Sequence, residues 1–178
     1  EFLAVMGLAD EFTVEMAETV TGSKNTAAIL QTLTEQNAFV KRLPDGVTYR
    51  FHHMMKECAL RVFLTLPQER RNDCRRRFGA WYEQHRQYLH AMHAYYQSGD
   101  YHALLRVVQQ DAGILLSSLD PKNVLDFLDE CPEDTLKAHP AALLVLMRSM
   151  FNWRNIPRMQ ALRQLLLTAI DEDTQCSA

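Results

Sequence analysis

A single change of period constrains this sequence most. From Phe39 to Phe51 the side chains alternate, first as Phe39-Val40-Lys41-Arg42-Leu43 and then as Val47-Thr48-Tyr49-Arg50-Phe51. A period of two sends successive side chains to opposite faces of a strand. Between the runs lies Pro44-Asp45-Gly46. Pro fixes φ early in a turn, and Gly accepts positive φ at its end. Elsewhere the apolar residues recur every third or fourth position, the period of a helix. The chain therefore predicts one two-stranded hairpin set among helices. Six Gly and six Pro in 178 residues leave few breaks, which favours long helices over a many-turned sandwich or barrel. With 47% hydrophobic and 23% charged residues, disorder is excluded.

Ahead of the hairpin the sequence predicts three helices. Glu1 to Gly7 reads as the remnant of one. Thr13 caps a second, which runs to Val20 with Gly22 just past its end. Asn25 caps a third, reaching about Gln36, with Ala28, Ile29, Thr32 and Leu33 on its inner side. Three helices followed by a hairpin is the order of a winged helix, here assigned to residues 1–66.

After the hairpin the pattern is helical to the end. Met54, Cys58, Val62 and Leu66 recur every fourth residue, with Met55, Ala59 and Phe63 alongside. Pro67 restarts the chain, and Gln68 and Glu69 suit a first turn. Cys74, Phe78, Trp81, His85, Leu89 and Met92 form the next stripe, and Gly99-Asp100 reads as a stop followed at once by a new cap. Asp120-Pro121, Cys131-Pro132 and His139-Pro140 each place Pro at a first helical position. Ala141 to Phe151 is apolar nearly all round and predicts a buried helix. Met159, Leu162, Leu166 and Ile170 make one face of the last helix, and the polar tail from Asp171 to Ala178 is expected to fray. The expected fold is mainly α: a winged helix with a small hairpin, then helical hairpins of tetratricopeptide-like character over residues 67–178.

The residues offer little chemistry. Gly22-Ser23-Lys24 looks like the end of a phosphate-binding loop, but Ala17 stands where its first Gly belongs, so there is no Walker A motif. No GxSxG, HExxH or dinucleotide fingerprint occurs, and the chain is not read as an enzyme. The four cysteines have no metal-like spacing and read as reduced, mostly buried thiols of a cytosolic protein. His90 and His93, with His85 and His102 nearby, lack an acidic or thiol partner at helical spacing, so no metal is assigned. No apolar run reaches the ~20 residues that span a bilayer. The chain opens at Glu1 in mid-pattern without a signal peptide, and the expectation is a piece of a larger protein.

Two constellations bear on binding. Arg70, Arg71, Arg75, Arg76 and Arg77 form the densest positive cluster; no aromatic ladder accompanies it, so it reads as a helix face, with Arg70, Arg71 and Arg75 as candidates for docking an acidic neighbour. His52-His53 lies where the second strand meets a helix, and an imidazole there can bond an anion that the helix end also attracts. The bland alternative has one His capping the helix and the other solvated. Direct DNA reading is disfavoured. The formal charge is −3, and the third helix, Thr26 to Gln36, carries no Lys or Arg for base edges or phosphates while Glu35 would face them.

Three segments together resemble the region downstream of the ATPase core in LuxR-family activators of the MalT (maltose regulator) type, which belong to the STAND signal-transduction ATPases. Phe2-Leu3-Ala4-Val5-Met6 through Ala17-Glu18-Thr19-Val20-Thr21-Gly22 is similar to the family's opening stretch ending in "VTG". Tyr49-Arg50-Phe51-His52-His53-Met54-Met55 is similar to "YRYHHLF". Arg75 to Glu83 and His93 to Tyr101 resemble "HRRAAAWYE" and "HALAAGDW", with order and spacing agreeing over about residues 1–155. The resemblance implies a winged helix packed on an upstream ATPase core and a helical part leading to an inducer sensor. It also implies ATP or ADP in the intact protein but none in this fragment, and promoter binding only through a C-terminal domain outside this chain. By analogy with related switches, His52, and second His53, would lie near the nucleotide phosphate. The rival readings are a free-standing helical adaptor and, third, a winged-helix repressor.

Overall fold

The computed structural model describes residues 1–36 and 39–176. Its contacts divide the chain into two compact units, Glu1–Trp81 and Tyr82–Ala178.

The first unit is a winged helix. Its elements are α1 (Phe2–Met6), β1 (Phe12–Thr13), α2 (Val14–Thr21), α3 (Thr26–Glu35), β2 (Val40–Arg42), β3 (Thr48–Phe51), α4 (His53–Leu64) and the first part of α5 (Gln68–Gln84). Thr13 caps α2 as its sequence predicts: Oγ1 accepts from the Met16 N–H at 3.2 Å. Gly22 ends that helix with φ 72°, the left-handed geometry that glycine adopts without strain. In α3 the inward positions are Thr26 and Leu30, with Ile29, Leu33 and Thr34 half-buried. Ala28 and Thr32, expected inside, are exposed. The buried Thr26 hydroxyl is satisfied locally, donating to the Ser23 carbonyl at 3.1 Å.

The sheet has three antiparallel strands in the order β1-β3-β2, where the sequence predicts two. The third strand is only Phe12 and Thr13, too short to show alternation. Phe12 opposes Tyr49 and is 2% exposed, and its ring lies 5.1 Å from that of Phe51. Across the hairpin Val40 pairs with Phe51 and Arg42 with Tyr49. Lys41 opposes Arg50, a like-charge pair that Glu11 relieves by binding the Arg50 guanidinium. At the turn, Asp45 accepts from the N–H groups of Val47 at 3.1 Å and Thr48 at 3.0 Å, and Gly46 has φ 73°.

Helix α4 carries two apolar stripes, and only one faces the core. Ala59 and Phe63 are buried and Met55 half-buried, whereas Met54, Cys58 and Val62 are exposed. The choice is set by α1, which packs on α4 through Gly7. A Cβ placed on Gly7 would stand 2.6 Å from the Ala59 Cβ, so the two backbones meet where neither has a side chain to spare. Cys74 and Phe78 of α5 complete this core, and Trp81 is 8% exposed. Gly7→Ala is expected to cost about 1–3 kcal/mol by overpacking, with part recovered in Gly7→Ala/Ala59→Gly, as read by urea unfolding. A change within about 0.5 kcal/mol would mean that the contact is loose.

The second unit is helical. It holds the end of α5, then α6 (Tyr88–Ser98), α7 (Tyr101–Gln110), a 3₁₀ turn (Leu115–Ser118), α8 (Pro121–Glu130), α9 (Glu133–Lys137), α10 (Pro140–Asn152) and α11 (Ile156–Cys176). The stripe from Cys74 to Met92 is not one helix. The chain breaks at Arg86, which takes φ 57° while its N–H donates to the Glu83 carbonyl and the Gln87 N–H to the Tyr82 carbonyl. This is a Schellman stop without glycine, so composition did not mark it. The same pair of bonds ends α6 at Gly99 and α10 at Arg154. After Gly99, Asp100 immediately caps α7 by accepting from the Ala103 N–H at 3.1 Å, as the sequence predicts.

Helix α6 packs on α7 and α10 on α11, around a core that includes Leu105, Val107, Leu143, Leu146, Met150 and Leu162. Three expectations are corrected here. Helix α10 is not buried all round, since Leu144 and Phe151 are exposed on its outer side. Pro132 caps α9 rather than entering it. Helix α11 continues past Ile170 to Cys176, so the expected fraying does not begin at Asp171; Ser177 and Ala178 lie outside the described residues. Burial pushes the Cys131 thiol up to about 11, the behaviour of an inert structural cysteine.

One polar cluster ties α5, α6 and α7. Glu83 accepts both Arg106 nitrogens, Nε at 2.9 Å and Nη2 at 2.8 Å, together with the Tyr95 hydroxyl at 2.8 Å and Gln110 Nε2 at 3.0 Å. Bonding to Arg106, outweighing the opposing effect of burial, holds the Glu83 carboxyl below its usual range. A lowered carboxyl stabilises the fold above its ordinary value near 4.5, and that contribution is lost as pH falls through the native value. Glu83→Gln is therefore expected to cost about 1–2 kcal/mol at neutral pH, discounted because half of Arg106 is in water. The deficit should shrink below about pH 4.5; a deficit independent of pH would assign the loss to packing.

Candidate functional site

The two histidines singled out by sequence open α4. His52 is its N-cap, with extended backbone, and Nδ1 accepts from the Met54 N–H at 3.4 Å. With Nδ1 accepting, the neutral ring carries its proton on Nε2, where it can be donated outward. The His52 backbone N–H donates to the Phe39 carbonyl at 2.7 Å, and the two rings sit 5.9 Å apart. His53 points into solvent and lies 3.5 Å from Glu57, one turn along. One histidine thus caps and the other is solvated, which is the bland arrangement weighed against an anion site. The cap still leaves His52 exposed, at a helix end that attracts anions, with a donor to spare.

Below this pair runs a feature the sequence reading did not single out. Phe39 is 56% exposed, Met54 62% and Val62 53%, and Cys58 is exposed between the last two on the same side of α4. The signal was present: a twelve-residue helix with apolar residues on two sides can bury only the side its neighbours cover. Cys58, expected to be a buried thiol, is exposed because it belongs to this outer stripe, whereas Cys74 and Cys131 are buried.

The arginine candidates are held within their own unit. Arg70 binds Glu1 at 2.7 Å and Asp73 at 3.2 Å, and that bonding lowers the Glu1 carboxyl. Arg71 bonds the Gln68 side chain. Arg75 lies over the Phe63 ring, 5.6 Å from its centroid, and burial lowers its pKa. Arg77 bridges to Asp73 at 3.0 Å, and Arg76 is exposed.

Gly22-Ser23-Lys24 forms the turn from α2 to α3 and makes no phosphate loop. The outer side of α3 presents Ala27, Ala28, Gln31, Thr32 and Glu35, with Gln31 bonded to Glu35 at 2.8 Å; it offers no cation to a phosphate backbone. In the second unit His102 bonds His139 at 3.1 Å, His93 bonds Gln97 at 2.8 Å, and the His90 ring lies against Tyr82. Among the described residues no three His, Cys, Asp or Glu side chains gather as metal ligands, and no helix is long and apolar enough to cross a membrane.

Residues 1–72 match the family model of the MalT winged helix domain. No curated protein matches the chain. The match spans every strand and helix of the first unit through the start of α5, including the stretches quoted above up to Met55. It supports a fragment of a MalT-like regulator.

Proposed function

We propose that this chain is the regulatory middle of a bacterial LuxR-family transcriptional activator of the MalT type. The match of residues 1–72 carries the reading. In it, the winged helix docks on the protein's own upstream ATPase core, and the tetratricopeptide-like helical unit passes the inducer signal from a downstream sensor. Promoter DNA is contacted by a separate C-terminal domain. The exposed side of α4 supports such a docking role, because Phe39, Met54, Cys58 and Val62 form an apolar face beside His52 on a domain whose third helix is uncharged. Arg70, Arg71 and Arg75 are further candidates for an acidic neighbour, acting through the edges their present bonds leave in water.

The nucleotide belongs to the core, where exchange of ADP for ATP would supply the switching energy. His52 would act on it as a donor through Nε2, with His53 second. A bond to an ADP phosphate favours the resting state only if the active state lacks it, since a ligand shifts an equilibrium by its differential affinity alone. The alternative, a free-standing helical adaptor, draws support from Leu144 and Phe151, which are exposed on the outer side of α10.

In the intact regulator, His52→Ala is expected to raise transcription without inducer by roughly tenfold, the worth of one charge-assisted hydrogen bond. Unchanged basal activity would remove His52 from the switch.

A further inference from the structure

The second unit contains a cavity that the regulatory reading does not use. It measures about 250 Å³ and lies between α6, α7, α8 and the 3₁₀ turn. Its wall is apolar and belongs to the core: Met92, Leu104, Val108, Leu116 and Phe127 line it, and each is at most 5% exposed. An apolar cavity of about 150 Å³ holds a benzene ring. By that scale this one accommodates an aromatic molecule of about ten non-hydrogen atoms. Met92 and Phe127 put a thioether and an aromatic ring in its wall.

The mouth sets the charge. Asp126 and Asn123 stand on the α8 side, and Tyr96, His93 and Gln97 on the α6 side. Among the described residues no Lys or Arg lines the cavity. Tyr96 is bonded to Glu130, one helical turn from Asp126, and its phenol is pushed up by burial, by that bond and by the charges of both carboxylates. The rim is therefore electronegative over an apolar floor. A carboxylate or phosphate ligand would meet like charge; an ammonium would meet Asp126.

We propose that this cavity binds a small arylalkyl amine, with the ring against Met92 and Phe127 and the ammonium at Asp126. The inference is independent of the docking role of the first unit.

The test uses the 178-residue chain and two probes of similar size and opposite charge, 2-phenylethylamine and phenylacetate, followed by methyl and amide NMR titration. The amine is expected to shift the Met92 methyl and the amides around Phe127 saturably, with a Kd of about 1 mM or tighter. Phenylacetate should bind about tenfold more weakly or not at all. Asp126→Asn, an exposed position, should weaken the amine about three- to fivefold. Asp129→Asn, on the same helix but outside the lining, should leave it unchanged. An unsaturable amine response, equal binding of the two probes, or indifference to Asp126→Asn would each overturn the assignment.

Discussion

The close approach of Gly7 to Ala59 decides how the winged helix presents itself. Helix α4 has two apolar sides, and its own sequence does not choose between them. Where α1 crosses it, a Cβ on Gly7 would come within 2.6 Å of Ala59. That crossing is possible only at a residue without a side chain, so it fixes Ala59 and, one turn on, Phe63 against the core. Met54, Cys58 and Val62 are then outside by the geometry of the helix. The N-cap follows as well, because the strand that enters α4 places His52 at the head of that outer face, against Phe39.

The helical unit depends on a different device. Two of its helix ends, at Arg86 and Arg154, turn through a left-handed residue that is not glycine. A non-glycine residue at positive φ costs roughly 1 kcal/mol, which the paired Schellman bonds offset. At the first of these turns Glu83 also gathers Tyr95, Arg106 and Gln110. The two segments that resemble the family's "HRRAAAWYE" and "HALAAGDW" thus meet through a hydrogen bond from Tyr95 of the second to Glu83 of the first. The resemblance in sequence is a contact in space.

Much of this was legible beforehand, for stated reasons. The hairpin, the Thr13 and Asp100 caps and the Gly22 and Gly99 stops were readable because alternation, side-chain caps and left-handed glycines are local signals. The third strand was not, because two residues cannot show a period. The break at Arg86 was not, because arginine is not a stop signal. The inner side of α3 and the exposed side of α4 were not, because each depends on which neighbour arrives, a tertiary fact. At the candidate site, sequence chose His52 and His53 from their place at a strand-to-helix junction. The apolar face beside them was visible as residues but not as surface.

In the proposed regulator that face is covered by another part of the protein. Cys58 sits in the middle of it and reports on it directly. The decisive measurement is the alkylation rate of Cys58, resolved by mass spectrometry, in this chain and in the intact protein holding ADP. Ready labelling is expected in the isolated chain, where Cys58 is exposed and Cys74 and Cys131 are buried. Protection is expected in the intact resting protein, relieved by ATP and inducer. Equal rates in both proteins would contradict it, because the face would then be open to water in the very state it is proposed to hold.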